Sequence, residues 1–157
     1  PDKTKEKEDE LTTKTIKMIK EMKLESQCEF ISFSLNICKE IKRLKPFAKV
    51  QYLNGDLSPM ELKNLNIDGF DYHYSILIDQ HPNWISEAKK LGYKIMLGCM
   101  TESSIGISAG CALAGLLDFA DLDGANLISN DYAKGSFVEN GRIQLSEKPG
   151  LGIEFLL

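Results

Sequence analysis

The chain has 157 residues, of which 43% are hydrophobic and 27% charged, and its net charge is −4. That length supports one domain with a buried core, and the balance is that of an ordinary globular protein. The acidic balance excludes a general attraction to nucleic acid or to an anionic membrane surface. The longest apolar stretch, residues 105–117, is interrupted by Gly and Ser and is too short to cross a bilayer.

In chain order, Leu11, Ile16, Ile19 and Met22 recur at helical spacing, which predicts a helix over residues 8–23 with a solvated face of alternating acids and bases. A strand is expected at 28–33, then a helix at 35–44 that Lys45-Pro46 ends. A strand at 49–53 leads into the turn Asn54-Gly55-Asp56. Ser58-Pro59-Met60-Glu61 reads as a capping box with proline in the first helical position, opening a helix that runs to Leu65. A strand follows at 67–72, then a helix from Pro82 to Leu91 closed by Gly92. The next strand is expected at 93–97, a small-residue helix from Ser103 or Ser104 to near Leu117, and a fifth strand at 119–123. Residues 125–157 have no helical period and read as extended segments turning at Lys134-Gly135, Asn140-Gly141 and Pro149-Gly150.

Strands that alternate with helices predict an α/β fold of about five parallel strands joined by right-handed crossovers. Neither G-x-G-x-x-G nor the P-loop pattern occurs, which argues against a nucleotide-binding doubly wound sheet. In the barrel alternative, chemistry belongs to the loops after each strand, here beginning at Ser34, Asn54, His73, Cys99 and Gly124. The four cysteines form no C-x-x-C pair, and neither histidine stands at zinc-ligand spacing to them, so they read as reduced thiols. A cytoplasmic location is expected. The chain opens at Pro1 inside a charged run, so a segment upstream of it is expected as well.

Phe30-Ile31-Ser32-Phe33-Ser34, Tyr52-Leu53-Asn54-Gly55-Asp56-Leu57-Ser58-Pro59 and Ile67-Asp68-Gly69-Phe70-Asp71-Tyr72-His73-Tyr74 follow one another in a familiar order. With them, residues 1–94 resemble the C-terminal part of a bacterial glycerophosphodiester phosphodiesterase. A second set is Met96-Leu97-Gly98-Cys99-Met100-Thr101-Glu102-Ser103-Ser104, Phe119-Ala120-Asp121-Leu122-Asp123-Gly124, Val138-Glu139-Asn140-Gly141-Arg142 and Pro149-Gly150-Leu151-Gly152. With it, residues 95–157 resemble the C-terminal part of an L-Ala-D/L-Glu dipeptide epimerase of the enolase superfamily.

The two resemblances together imply a partial (βα)₈ TIM-type barrel. The phosphodiesterase-like part supplies strands four to six and the epimerase-like part strands seven and eight plus an extended tail, and the two are expected to form one structural unit. They also imply that Asp121 and Asp123 pair with a substrate ammonium group. Two carboxylates at i and i+2 on a strand point to one side and converge on one cation. Cys99, Met100 and Thr101 would hold a substrate carboxylate on free N–H groups at the start of the following helix. Ser34, Tyr52, Asn54, Tyr72 and His73 are candidate pocket walls.

Both parent families use a divalent cation such as Mg or Ca, but no catalytic residue and no metal ligand set is expected in this chain. The phosphodiesterase residues, a His-Arg-Gly, acidic ligands, a second His and a Glu-x-Lys, would precede Pro1. The epimerase's opposed lysines have no counterpart at Asp71-Tyr72-His73, and its metal carboxylates none at Ser34 or Asn54. The expected partners are a small-molecule ligand at most, no nucleic acid and no membrane, with self-association through open sheet edges.

Overall fold

The computed structural model describes residues 3–73 and 75–156. It divides into two compact units, Pro1–Tyr93 and Lys94–Leu157.

The first unit opens with helix α1 (Lys3–Glu21), which starts five residues earlier than the apolar spacing alone suggests. Its first turns are almost entirely Lys, Glu and Thr, so good helix formers extend the element without adding an apolar stripe. Strand β1 (Phe30–Ser32), helix α2 (Leu35–Leu44), strand β2 (Val50–Tyr52), helix α3 (Pro59–Asn64) and strand β3 (Gly69–Phe70) follow. The strands pair in parallel in the order β1-β2-β3, with Phe30 opposite Val50 and Gln51 opposite Gly69.

Sequence signals hold closely at the helix starts. The Ser34 hydroxyl caps α2 by accepting the Ile37 N–H. Ser58 and Glu61 form the reciprocal box expected at α3. The core gathers Cys38, Ile41, Val50, Tyr52, Leu62, Ile67 and Tyr72 between the helices and the sheet. Burial pushes the Cys38 thiol up to about 11, as expected for a thiol that packs and does not react.

A π-helical turn, Ile76–Gln80, follows β3, with no warning in the apolar pattern. Helix α4 (Trp84–Lys90) begins two residues after Pro82, and Gly92 takes the left-handed φ of +85° that stops it. The Tyr93 hydroxyl donates to the Ile67 carbonyl and closes the unit.

The second unit begins with strand β4 (Met96–Gly98), helix α5 (Ser104–Ala112) and strand β5 (Phe119–Asp121), β4 and β5 pairing in parallel. A 3₁₀ turn at Ala114–Leu116 carries the chain from α5 towards β5. Strand β5 ends at Asp121, two residues before the end expected. A second 3₁₀ turn, Gly124–Leu127, replaces the extended segment expected there.

The remainder forms two antiparallel pairs, β6 (Ala133–Lys134) with β9 (Glu154–Phe155) and β7 (Phe137–Glu139) with β8 (Arg142–Gln144). Asn140 and Gly141, at φ +50° and +72°, make the tight hairpin turn that their sequence announces. Lys134-Gly135 is not a turn, since Lys134 lies in β6. Gly135 is needed for a close approach, because a Cβ there would sit 2.1 Å from the Ser108 hydroxyl. Ser108 itself accepts the Ser136 N–H at 2.8 Å. A small core of Ile107, Cys111 and Leu122 holds this unit together. Among the described residues, no helix is long and apolar enough to cross a membrane.

Candidate functional site

The strand ends of the first unit are occupied by their own neighbours. Tyr52 is buried and donates its hydroxyl to Asp56 at 2.8 Å. Burial, with the Asp56 carboxylate beside it, pushes the phenol up to about 12, and the same bond holds Asp56 below the usual carboxylate range. Tyr72 is buried against Tyr52 and Phe70 and donates to the Leu57 carbonyl at 2.9 Å. Both tyrosines are therefore core residues with committed hydroxyls, not an open pocket wall. Ser34 is spent as a helix cap. Asn54 is exposed and hydrogen-bonds in the Tyr52–Asp56 group, and His73 is exposed with Nδ1 2.8 Å from the Ser75 hydroxyl.

Sequence reasoning missed Asp68. Its carboxylate accepts the Lys42 ammonium at 2.9 Å and the Val50 N–H at 3.0 Å, tying α2 to the edge of β2. No spacing rule connects residues 26 positions apart, so nothing local marked the pair.

In the second unit the strand ends remain open. Cys99 follows β4 and is half-buried, while Asp121 and Asp123 are exposed at the end of β5. Leu122 between them is buried in the unit's core, which puts its two neighbours on the opposite side. Asp123 lies past the strand, at φ −93° and ψ 5°, where the chain already bends into the 3₁₀ turn.

One donor atom from each of Cys99, Asp121 and Asp123 falls within 4.8 Å of the other two. Gly124 makes this approach possible. A Cβ at that position would lie 2.1 Å from the Met100 carbonyl oxygen and 3.1 Å from the Cys99 sulfur. Asp121, Leu122, Asp123, Asn126, Val138 and Asn140 are among the residues around an open cavity of about 580 Å³ at this end of the unit.

The start of α5 differs from expectation. Ser103 makes no side-chain cap. Asp131 reaches back 27 positions to accept the Ser104 N–H at 2.7 Å, and it also accepts the Ala133 N–H at 3.2 Å. Bonds from Ser104 hold its carboxyl below the usual range. A carboxylate of the chain itself thus occupies one of the N–H groups expected to await a substrate carboxylate. Met100 and Thr101 are exposed beside it.

The Cys99–Asp121–Asp123 set does not suit a hard divalent cation such as Mg or Ca. Mg and Ca take several hard oxygen ligands, and a thiol is a soft one. Among the described residues it is the single such group of three whose donor atoms come together.

No family profile matches the chain. The L-Ala-D/L-Glu epimerase of Bacteroides thetaiotaomicron is 51% identical over 69 residues, covering 44% of this chain and 18% of that protein. The L-Ala-D/L-amino acid epimerase of Flavobacterium johnsoniae is 47% identical over 72 residues, covering 46% of this chain and 21% of that protein. The crystal structure of a glycerophosphodiester phosphodiesterase from Parabacteroides distasonis matches with a TM-score of 0.63 at 36% identity, over 77% of this chain and 49% of that one. The chain resembles two enzyme families.

The epimerase-like likeness extends to structure. Dipeptide epimerase from Methylococcus capsulatus, solved with a Mg ion, gives a TM-score of 0.65 at 21% identity over 94% of this chain and 46% of that one, a likeness of fold alone. The neighbours have TIM-barrel and enolase-type folds, in keeping with the parallel strands seen here. The chain spans about a fifth of the length of the curated epimerases it matches and about half of the phosphodiesterase chain.

Proposed function

We propose that this chain is a (βα)₈ barrel segment filling slots four to eight, a phosphodiesterase-like part joined to an epimerase-like part, which does not turn over substrate by itself. On this reading the epimerase-like part keeps a grip on ammonium groups through Asp121 and Asp123. The supporting observation is the convergence of these two carboxylates with Cys99 within 4.8 Å, where no described residue gives either one a hydrogen bond or an ion pair. Two like charges held close favour a cation between them.

Epimerisation needs a base at the α-carbon and a group that stabilises the enolate. The positions that match the epimerase supply neither a lysine base nor a hard-oxygen metal set. The chain would hold no resident cofactor, its ligand would be a small molecule, and nucleic acid and membrane would have no part in its action. β1 lies at one end of its sheet with Ile31 exposed, which supports self-association through that edge.

Calorimetric titration with L-Ala-L-Glu and its N-acetylated form tests this. The free dipeptide should bind and the acetylated one should not, and Asp121→Asn with Asp123→Asn should remove binding. In D₂O the α-proton of the bound dipeptide should not exchange. Equal binding of the acetylated dipeptide, or measurable exchange, would refute the reading.

The larger part's parent activity, metal-dependent hydrolysis of glycerophosphodiesters, is the second reading. The 36% identity to the phosphodiesterase favours it. The engagement of Asp56 by Tyr52 and of His73 by Ser75 speaks against a free acid or base at those strand ends. Release of glycerol phosphate from glycerophosphocholine with Mg or Ca present would revive it.

A further inference from the structure

Helix α1 carries an apolar stripe away from the side that packs on α2. Thr12 is buried, and Asp9 accepts the Asn36 side-chain amide of α2 at 3.0 Å, which sets the packed side. Leu11, Met18 and Met22 stand at i, i+7 and i+11, roughly 100° around the helix from Thr12 and roughly 160° from Asp9. They are 58%, 60% and 61% exposed.

The same surface holds seats for side chains of this kind. Thr4, Lys7, Glu8 and Leu11 line an open groove of about 370 Å³ at the N-terminal end of the stripe. Their spacing, i, i+3, i+4 and i+7, is the four-residue hole that receives a side chain from a facing helix. Leu11, Lys14, Thr15 and Met18 repeat that spacing one heptad on. One antiparallel register uses both holes. Met18 of one copy set over Lys7 and Glu8 of another brings Leu11 over Lys14 and Thr15, and a two-fold axis repeats both contacts. That register also runs Glu10 of each copy beside Lys14 of the other. Within one chain these two residues lie on one flank of the stripe, 2.5 Å apart and exposed.

We propose that the outer stripe of α1 is a self-docking face, two copies of this chain pairing antiparallel through Leu11 and Met18 with Glu10 and Lys14 matched across the contact. The inference goes beyond the proposed function and rests on neither the aspartate pair nor the β1 edge. The charge pattern selects a second copy as the occupant. In antiparallel order each acid meets a base, whereas parallel pairing in register sets Glu10 level with Glu10 and Lys14 level with Lys14. A contact of this size is transient, so the population of the dimer depends on concentration.

The test is sedimentation of the full 157-residue chain from about 1 to 500 µM, where a monomer–dimer equilibrium should appear. Reductant is present because Cys28 and Cys99 are free thiols that are only partly buried. Met18→Glu places a charge on the inserted side chain at an exposed site, with a good helix former, so circular dichroism should be unchanged. It should weaken the dimer by about thirtyfold or more. Glu10→Lys and Lys14→Glu should each weaken it by about three- to tenfold. An equimolar mixture of those two chains should regain at least the parent affinity, because every facing pair is then opposite in charge. Neither a folding defect nor pairing at β1 produces recovery on mixing. Ile31→Lys, on exposed β1, should leave this dimer unchanged.

A chain that stays monomeric across that range would overturn the inference, leave the stripe to a different protein and leave the aspartate reading standing. A dimer that withstands Met18→Glu would overturn it as well, and loss of that dimer with Ile31→Lys would assign the contact to the β1 edge. A mixture no more dimeric than its two components would overturn the antiparallel pairing and the inference with it.

Discussion

In Pro1–Tyr93 the polar groups at the strand ends bind one another. Tyr52 donates to Asp56, Tyr72 to the Leu57 carbonyl, Ser34 caps its helix, and Asp68 gathers Lys42 and Val50. In Lys94–Leu157 the equivalent positions hold Cys99, Asp121 and Asp123, and no described residue engages the two acids. The first unit has turned its strand ends into core and caps, and the second leaves its own facing an open cavity. Polar groups satisfied internally add to stability, and groups left free are available to a ligand. The comparison therefore predicts that substitutions in the first unit act on stability and substitutions at the second unit's site act on binding.

The largest effect expected is from Leu62→Ala. Leu62 is fully buried in the first unit's core. Its truncation should cost about 3–4 kcal/mol, read by urea unfolding followed through Trp84, the single tryptophan, which lies 6.1 Å from the Tyr72 ring. A loss below about 1 kcal/mol would mean that the core is far looser than drawn.

Asp68→Ala comes next, at about 2 kcal/mol. It strands the Val50 N–H and leaves the largely buried Lys42 ammonium with the Ala48 carbonyl alone. Lys42→Met in the Asp68→Ala background should recover part of that loss, because the uncompensated charge is then gone.

A smaller and pH-dependent effect comes from the phenols. Burial raises Tyr52 and Tyr93 from 10.0 to about 12 in the folded unit. A folded pKa above the unfolded one gives a contribution that is full below the unfolded value and is lost as pH rises towards the folded value. Stability of the first unit should therefore be flat up to pH 10 on this account and should fall between pH 10 and about 12. Phenolate absorbance and unfolding should rise together, and independent titration of all tyrosines near their ordinary value would contradict the burial.

The smallest stability change belongs to Asp121→Asn, within about 0.5 kcal/mol of the parent. The same variant should lose amine binding. A stability loss of several kcal/mol there would erase the contrast between the two units.

Much of this was legible beforehand. The capping box at Ser58–Glu61, the Gly92 stop and the Asn140-Gly141 turn are local codes, each set by contacts within four residues, and each appears where the sequence puts it. The i, i+2 spacing of Asp121 and Asp123 was read on a strand running to 123, whereas the strand ends at Asp121 and Asp123 lies where the chain bends away. The commitment of Tyr52 and Tyr72 to the core was not legible, because a tyrosine's spacing does not say whether its hydroxyl finds a partner.

The sequence by itself determined the alternation of the main helices and strands, that these strands pair in parallel, and which residue types arrive at each strand end, whereas one run of five strands was expected and the structure has a three-stranded and a two-stranded sheet. Periodicity and capping act over a few residues, and those distances are written in the chain. Only the tertiary structure decided that Asp131 caps α5 from 27 positions away, that Gly124 lets Cys99 close on the aspartates, and that the β7–β8 hairpin packs on the Ile107–Cys111–Leu122 core. These are contacts between residues distant in sequence, fixed by the burial of Ile107, Cys111 and Leu122, and a short-range pattern carries no record of them.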